Sequence, residues 1–395
     1  MSTTTGHETA GSDRDRTQLL GAIDAISDVI ESNADLAQRE RSLPAAAWQA
    51  IDDAGLFALK APRELGGFEA DPMLQMEIIE RLSYLDSSAG WSLMVGCGAQ
   101  AMAGGWAPEQ SLELLMDGSR LRRGAIVMAP TGQATAVEGG YQLSGRWQFG
   151  SGVLHAEWVL AGAHVTDVDG TKEATPRTFL LPLEAVTVHD NWHVGGLRGT
   201  GSNDFSVEDI FVPSEHTWSM FSAPRRGGTL YRLGLPEFVA CEHAGLALGL
   251  GRRAIDEMIT IAKTKTRGPA ATTSTASRGH FQHQLGTHDI ALRAARDYAF
   301  ARYQAAWDRV AAGETLAVPE RLELRITASH VTTVALNAAQ AMFRYAGAKS
   351  LYEGSVIERC MRDLNAAAQH QMLNDALYEE HGKALLGLPD VSPFV

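Results

Sequence analysis

The spacing of apolar residues changes character twice along the chain. From about Thr17 to Met116 they recur at helical intervals, with Leu19, Ile23, Ile26 and Ile30 forming one stripe. Pro44 opens a short second helix carrying Trp48 and Ile51, and Gly55 ends it. The proline- and glycine-rich stretch 61–72 reads as a loop. Apolar helical stretches follow around 73–84 and 86–105, and Pro108 starts another. From about Arg123 to Pro213 the pattern is strand-like. AIVMAP, WVLAGAHV and TFLLPL are short apolar runs, and Gly139-Gly140 between TAVE and YQLSG signals a hairpin. In FSVEDIFVP the alternation fails at the Glu208-Asp209 pair, which predicts a bulge. From Gly234 onward the spacing is helical again. It predicts four long helices over roughly 235–265, 280–312, 319–347 and 360–386, separated by Gly- and Pro-bearing breaks.

The order is thus helices, a small β region, then a helical bundle, which disfavours an alternating βαβ fold. A chain of 395 residues accommodates two or three domains. The expected divisions are a flexible tail over 1–15, an N-terminal helical domain over 16–120, a central β domain over 121–225 and a C-terminal bundle over 226–395. The formal net charge of −13 argues against a nucleic-acid-binding surface. Three scattered cysteines, Cys97, Cys241 and Cys360, suit a reducing compartment. The polar N-terminal stretch lacks the apolar core of a signal peptide, and no uncharged apolar run reaches about 18 residues. A soluble, cytoplasmic protein with no membrane partner is the expectation.

Several tempting motifs fail on context. Gly249-Leu-Gly251-Arg-Arg-Ala254 matches GxGxxA, but it lies inside a helical pattern and follows no strand. Close helix packing explains its small residues better, so the chain lacks a motif for bound NAD(P)H. The 195–204 segment is glycine-rich but has no Lys-Ser/Thr pair of a P-loop. His280, His283 and His288 have no matching acidic or cysteine ligand, so a surface or interface role is expected and no metal is assigned. Ser151 lies in FGSGV, which is not the GxSxG nucleophile elbow.

Three segments carry a different signal: GRWQFGSGVLHAEWVLAGAHV (145–165), HVGGLRGTGSNDFSVEDIFVP (193–213) and AQAMFRYAGAKSLYEGSVIERCMRDLNAAAQH (339–370). Together with the helix–β–helix order they resemble the acyl-CoA dehydrogenase superfamily over nearly the whole chain. The resemblance implies a mainly α fold with a central β domain: an N-terminal helical domain, a β-barrel-like middle domain and a C-terminal four-helix bundle. It also implies a homotetramer and a flavin. A flavin ring needs an apolar slot with donors near N5, so Trp147 and Phe149 are expected to supply ring contacts and Ser151 a hydroxyl. Arg198 and Gly199 are expected to border the substrate cavity. Asn203 and Asp204 are read as fixing the turn.

The superfamily holds two chemistries. Tyr352-Glu353-Gly354-Ser355 looks like the tetrapeptide that carries the dehydrogenase base, so Glu353 is the catalytic candidate for an acyl-CoA dehydrogenase. Three other features favour a flavin-dependent monooxygenase. FGSG followed by HAEW resembles the hydroxylase branch. Arg359, Arg362-Asp363 and Gln369-His370 resemble its C-terminal signature, where a histidine on the last helix faces the substrate. A histidine near its ordinary pKa of about 6.5 suits deprotonation of a phenol. Third, the dehydrogenase motif for the FAD adenosine half is replaced by the 266–286 stretch, where Arg267, Ser277 and Arg278 are the candidate phosphate contacts. The resemblance therefore implies a two-component enzyme. It would take reduced flavin (FMN or FAD) from a separate NAD(P)H-dependent flavin reductase and hydroxylate an aromatic, phenolic or polycyclic small molecule through a C4a-hydroperoxyflavin. His370 and Ser151 would be its catalytic groups. A flavin- or ligand-binding protein that has lost its chemistry is the reading of another class.

Overall fold

The computed structural model describes the backbone of residues 5–266 and 273–392, and side chains from residue 14 onward. The helices are α1 (Thr5–Glu40), α2 (Ala45–Asp53), α3 (Pro72–Leu85), α4 (Ser87–Trp106), the single turn α5 (Leu112–Leu115), α6 (Leu235–Thr264), α7 (Gly279–Ala311), α8 (Val318–Ala346), α9 (Val356–Ala367) and α10 (Ala376–Leu385). The strands are β1 (Met116–Asp117), β2 (Arg120–Leu121), β3 (Gly124–Val137), β4 (Gly140–Gly150), β5 (Trp158–Thr166), β6 (Arg177–Pro182), β7 (Thr187–Val188), β8 (Asn203–Pro213) and β9 (Thr217–Ser219). They fall into two compact units. One comprises Met1–Ala70, Ser92–His193 and Arg198–Tyr231; the other comprises Asp71–Trp91, Val194–Leu197 and Arg232–Val395.

The first unit is built on a seven-stranded sheet in the order β7-β8-β4-β3-β5-β6-β9. The predicted hairpin joins β3 to β4. Val137 pairs with Gly140, so Glu138-Gly139 form the turn, with Gly139 at φ 80. Glycine takes this positive φ without the penalty a Cβ would bring. The predicted bulge is present too. The β4–β8 register shifts between Leu143 and Gly145, and Asp209, at φ 50, donates its backbone N–H to Ser144 Oγ at 2.8 Å. Leu143, Trp147, Val159, Phe179 and Phe205 fill the core over this sheet. Helix α1 begins at Thr5, not after the tail expected over 1–15, and Asp15 on it pairs with Arg63 at 2.8 Å.

The second unit is the helical bundle. Two of its helices, α3 and α9, start at a side-chain cap. Asp71 accepts from Leu74 N–H ahead of α3, with Pro72 at the first position. Ser355 accepts from Glu358 N–H ahead of α9. The small residues of α6 allow close backbone approach. A Cβ at Gly245 would collide with the Met76 carbonyl of α3, one at Gly249 with the Glu80 carbonyl, and one at Gly251 with Ala335 of α8. The glycines that mimic a dinucleotide motif therefore serve helix packing.

The fourth predicted helix, 360–386, is not continuous. It is α9 and α10, separated by a single 3-10 turn over Gln371–Leu373. The alanine-rich sequence is locally helical, but two side chains divert the backbone. His370 Nδ1 accepts the Met372 N–H at 3.3 Å, and Asn374 Oδ1 accepts the Ala376 N–H at 2.9 Å. Such bonds compete with the i→i−4 ladder. Among the described residues no helix is long and apolar enough to cross a membrane.

Candidate active site

In the β-bearing unit, the end of β4 and the turn before β8 meet. Phe149 sits at φ 66 and Gly152 at φ 74, which swings the chain out of β4 and leaves the Phe149 ring 66 % exposed. Gly150 has no room for a side chain, because a Cβ would lie 2.9 Å from Asn203 O and from the Phe205 ring. The turn over Arg198–Thr200 is tied to this corner: Gly152 N–H donates to Thr200 O at 3.1 Å. Three buried hydroxyls line up beside it. Ser151 Oγ is 2.7 Å from Ser202 Oγ, which is 2.7 Å from Thr200 Oγ1. Each hydroxyl both donates and accepts, so the row can pass donation along its length. Ser202 and Thr200 went unnoticed in the sequence, although their alternation within LRGTGSND is the pattern that puts two hydroxyls on one side.

Trp147 requires a correction. Its side chain has no exposed surface: the indole stacks on Phe205 at 5.3 Å and donates from Nε1 to Gly162 O at 2.7 Å. It occupies space left by Gly132 and Gly145, where a Cβ would come within 2.5 and 2.7 Å of the ring. Trp147 thus supports the Phe149–Ser151 corner from the core and offers no face to a ligand. Asn203 and Asp204 are structural, as expected. Asn203 Oδ1 accepts from the Asn191 and Trp192 N–H groups, and Asp204 pairs with Arg146 at 2.8 Å. Arg198 is half-buried and Gly199 buried within the same turn. His155 of the HAEW run stacks on Trp48, with centroids 4.4 Å apart, and meets Ser42 Oγ at 3.0 Å.

In the bundle unit, His370 lies at the break between α9 and α10, not on the last helix as expected. Because Nδ1 accepts from Met372 N–H, the ring proton resides on Nε2. Its ring lies 4.5 Å from that of His243 and 5.6 Å, edge to face, from Trp91. Burial among these rings lowers its pKa to about 4, well below the ordinary value expected for it. At neutral pH His370 is an uncharged hydrogen-bond donor through Nε2, and a weaker base than the sequence suggested. Neither His243 nor Trp91 stood out in the sequence. A lone histidine in the apolar run of α6 reads as an ordinary core residue.

The Arg362-Asp363 pair anchors the segment 194–197. Asp363 is fully buried; it accepts from Leu197 N–H at 2.7 Å and from Ser87 Oγ at 2.5 Å. Arg362 donates to Gly195 O at 3.3 Å, and a Cβ at Gly196 would collide with the Arg362 carbonyl. Nearby, Asp86 accepts the Ala89 N–H at the start of α4. Burial raises its pKa to about 6 against the opposing charge of Arg359.

The remaining candidates lie elsewhere in the bundle unit. Glu353 is exposed in the loop before α9, beside the exposed Leu351 and Tyr352. Ser277 is exposed, with its hydroxyl donated to Ser274 O at 2.8 Å, and Arg278 is half-buried at the N-cap of α7. Arg267 falls outside the described residues.

Residues 21–113 match the acyl-CoA dehydrogenase N-terminal domain, and 241–375 match the acyl-CoA dehydrogenase C-terminal domain. The chain belongs to the acyl-CoA dehydrogenase superfamily, with that superfamily's fold. Proteins similar to this chain over nearly its whole length are named as monooxygenases and hydroxylases, flavin-dependent ones among them. The chain is 28% identical over 371 residues to indole-3-acetate monooxygenase of Pseudomonas putida, covering 93% of each chain. It is 27% identical over 389 residues to the oxygenase subunit HsaA of a flavin-dependent monooxygenase of Rhodococcus jostii, covering 93% of this chain and 98% of that one. The structure of XiaF from Streptomyces sp., in complex with FADH2 and glycerol, superposes with a TM-score of 0.91 at 28% identity, covering 98% of this chain and all of that one.

Proposed function

We propose that this protein is the oxygenase component of a two-component monooxygenase. It takes reduced flavin, FMN or FAD, from a separate NAD(P)H-dependent flavin reductase and hydroxylates an aromatic, phenolic or polycyclic small molecule. The observation that carries this reading is His370, an uncharged donor held among aromatic rings, while the alternative base Glu353 stands exposed in a loop. Relatives described as oxygenase subunits and the FADH2 complex of XiaF support it.

The Ser151 corner suits a flavin: an exposed aromatic ring stands beside a backbone too crowded for side chains and a row of hydroxyl donors. When bound, reduced flavin supplies the electrons that activate O2. Ser151 orients a donor toward the ring, backed by Ser202 and Thr200. Phe149 covers apolar ring surface. Arg198 and Gly199 border the substrate. Ser277 and Arg278, at the N-terminus of a 33-residue helix, are the phosphate contacts, where the helix end favours an anion. His370 donates from Nε2 to an oxygen of the substrate and orients it. This role keeps the chemistry free of a charged group that would draw water inward. The assembly is a homotetramer in the cytoplasm.

Replacing His370 by Ala should leave flavin affinity unchanged and cut product formation by about 100-fold or more. Glu353→Gln should leave turnover intact. Full hydroxylation by His370→Ala, together with loss of turnover in Glu353→Gln, would refute the assignment.

A further inference from the structure

We propose that His243 is a positioning residue: with Trp91 it forms an aromatic clamp that fixes the plane of the His370 ring and the direction of its Nε2–H. The proposal rests on the role assigned above to His370. That ring is attached at a helix break, where the backbone on either side is not held by a continuous helical ladder. The hydrogen bond from Met372 N–H to Nδ1, at 3.3 Å, is long and leaves the imidazole free to swing about that contact. Two other rings supply what it lacks. The His243 ring lies against that of His370 with centroids 4.5 Å apart and planes tilted by 36°. Trp91 meets it edge-on at 5.6 Å and 75°, and Trp91 and His243 contact each other at 5.8 Å and 73°. The three rings therefore close a triangle.

Both clamp residues stand on firm supports. His243 is 3 % exposed within the buried run Ala240–Leu250 of the 30-residue helix α6, whose glycines lock it against α3. Trp91 is 8 % exposed on the first turns of α4, a helix begun by the Asp86 cap. Tight surroundings fix their rotamers, and the tilted and edge-to-face ring contacts transmit that order to His370. Ala240, Ala328 and Leu373 pack together with Met372, so the peptide that donates to Nδ1 is itself seated on α6 and α8. A donor that must point at one substrate atom loses about 100-fold in rate when displaced by about 1 Å.

The test compares His243→Ala and His243→Phe in the full-length protein supplied with chemically reduced FMN or FAD. Indole-3-acetate and resorcinol serve as aromatic probes. One readout is the fraction of consumed O2 recovered as hydroxylated product rather than hydrogen peroxide. The other is the crystallographic orientation of His370. His243→Ala should lower the coupled fraction by about 10-fold or more, leave the KM for flavin within about twofold, and release the His370 ring from the Met372 N–H. His243→Phe, which keeps a ring face, should restore most of both. Should the alanine variant fold poorly, His243→Leu keeps the bulk without a stacking face and should behave as alanine does. Wild-type coupling and an unmoved His370 in the alanine or leucine variant would overturn the proposal. So would a phenylalanine variant as impaired as alanine. The orientation of His370 is read without turnover. If no aromatic is hydroxylated, the functional reading fails while the clamp is still decided by the position of the ring.

Discussion

His370 and Asp86 are buried ionisable groups whose shifts have opposite consequences for stability. His370 is held near pKa 4, so between about pH 4 and its ordinary value of about 6.5 the unfolded chain binds more protons than the folded one. Its contribution makes stability rise with pH across that window. Asp86 is pushed up to about 6, so between its ordinary value near 4 and pH 6 the folded chain binds more protons, and its contribution makes stability fall with rising pH. Asp86→Asn removes the second effect. Relative to wild type, its denaturant midpoint should therefore gain as pH rises from 4 to 6.5. His370→Ala should show a shallower rise than wild type over the same range. A pH-independent difference in either variant would contradict these assignments. Ser151→Ala removes one end of the hydroxyl row, the end proposed to meet the flavin. It should lower the product formed per flavin oxidised by about 10-fold and raise peroxide to match, as measured by product and peroxide titration. The sequence singled out Ser151 and His370 because their neighbours form motifs. It could not reveal that Trp147 is buried, since a tryptophan in a strand of alternating burial reads the same whether it faces ligand or core. Nor could it reveal His243, which reaches His370 across more than a hundred residues of chain.

At the scale of elements, α6 and the α9–α10 break position the site. Gly245 and Gly249 let α6 press against the backbone of α3, and that contact sets where His243 stands. Gly249→Ala places a methyl against the Glu80 carbonyl and should cost about 1–3 kcal/mol, read as a lowered denaturant midpoint with unchanged slope. An effect near zero would mean that α6 and α3 are not closely packed. Hydrophobic spacing made most elements legible. The three long helices α6, α7 and α8 lie within a residue or so of their expected ends, and the β3–β4 hairpin and the Asp209 bulge were both foreseen. The break at His370 was not, because alanine propensity favours helix there and only two side-chain-to-backbone bonds oppose it.

For the whole molecule, the segment 194–197, held by Asp363 and Arg362, leads directly into Arg198. The signature Arg362-Asp363 thus anchors the chain just ahead of the Arg198–Thr200 turn, a structural role. The order of helices, sheet and bundle, readable from texture, pointed to the superfamily only together with the segments 145–165, 193–213 and 339–370. Three sequence features already favoured oxygenation over dehydrogenation, and the surroundings, Glu353 in an exposed loop and His370 among rings, support the same proposal. The measurement that tests the central claim most directly supplies chemically reduced flavin and 18O2 to the purified protein with an aromatic probe such as indole-3-acetate or resorcinol, without NAD(P)H or reductase. The product is then weighed by mass spectrometry. The account predicts one 18O atom in a hydroxylated product, and its loss in His370→Ala. Reduction of bound oxidised flavin by an acyl-CoA, with no 18O entering any aromatic probe, would contradict it.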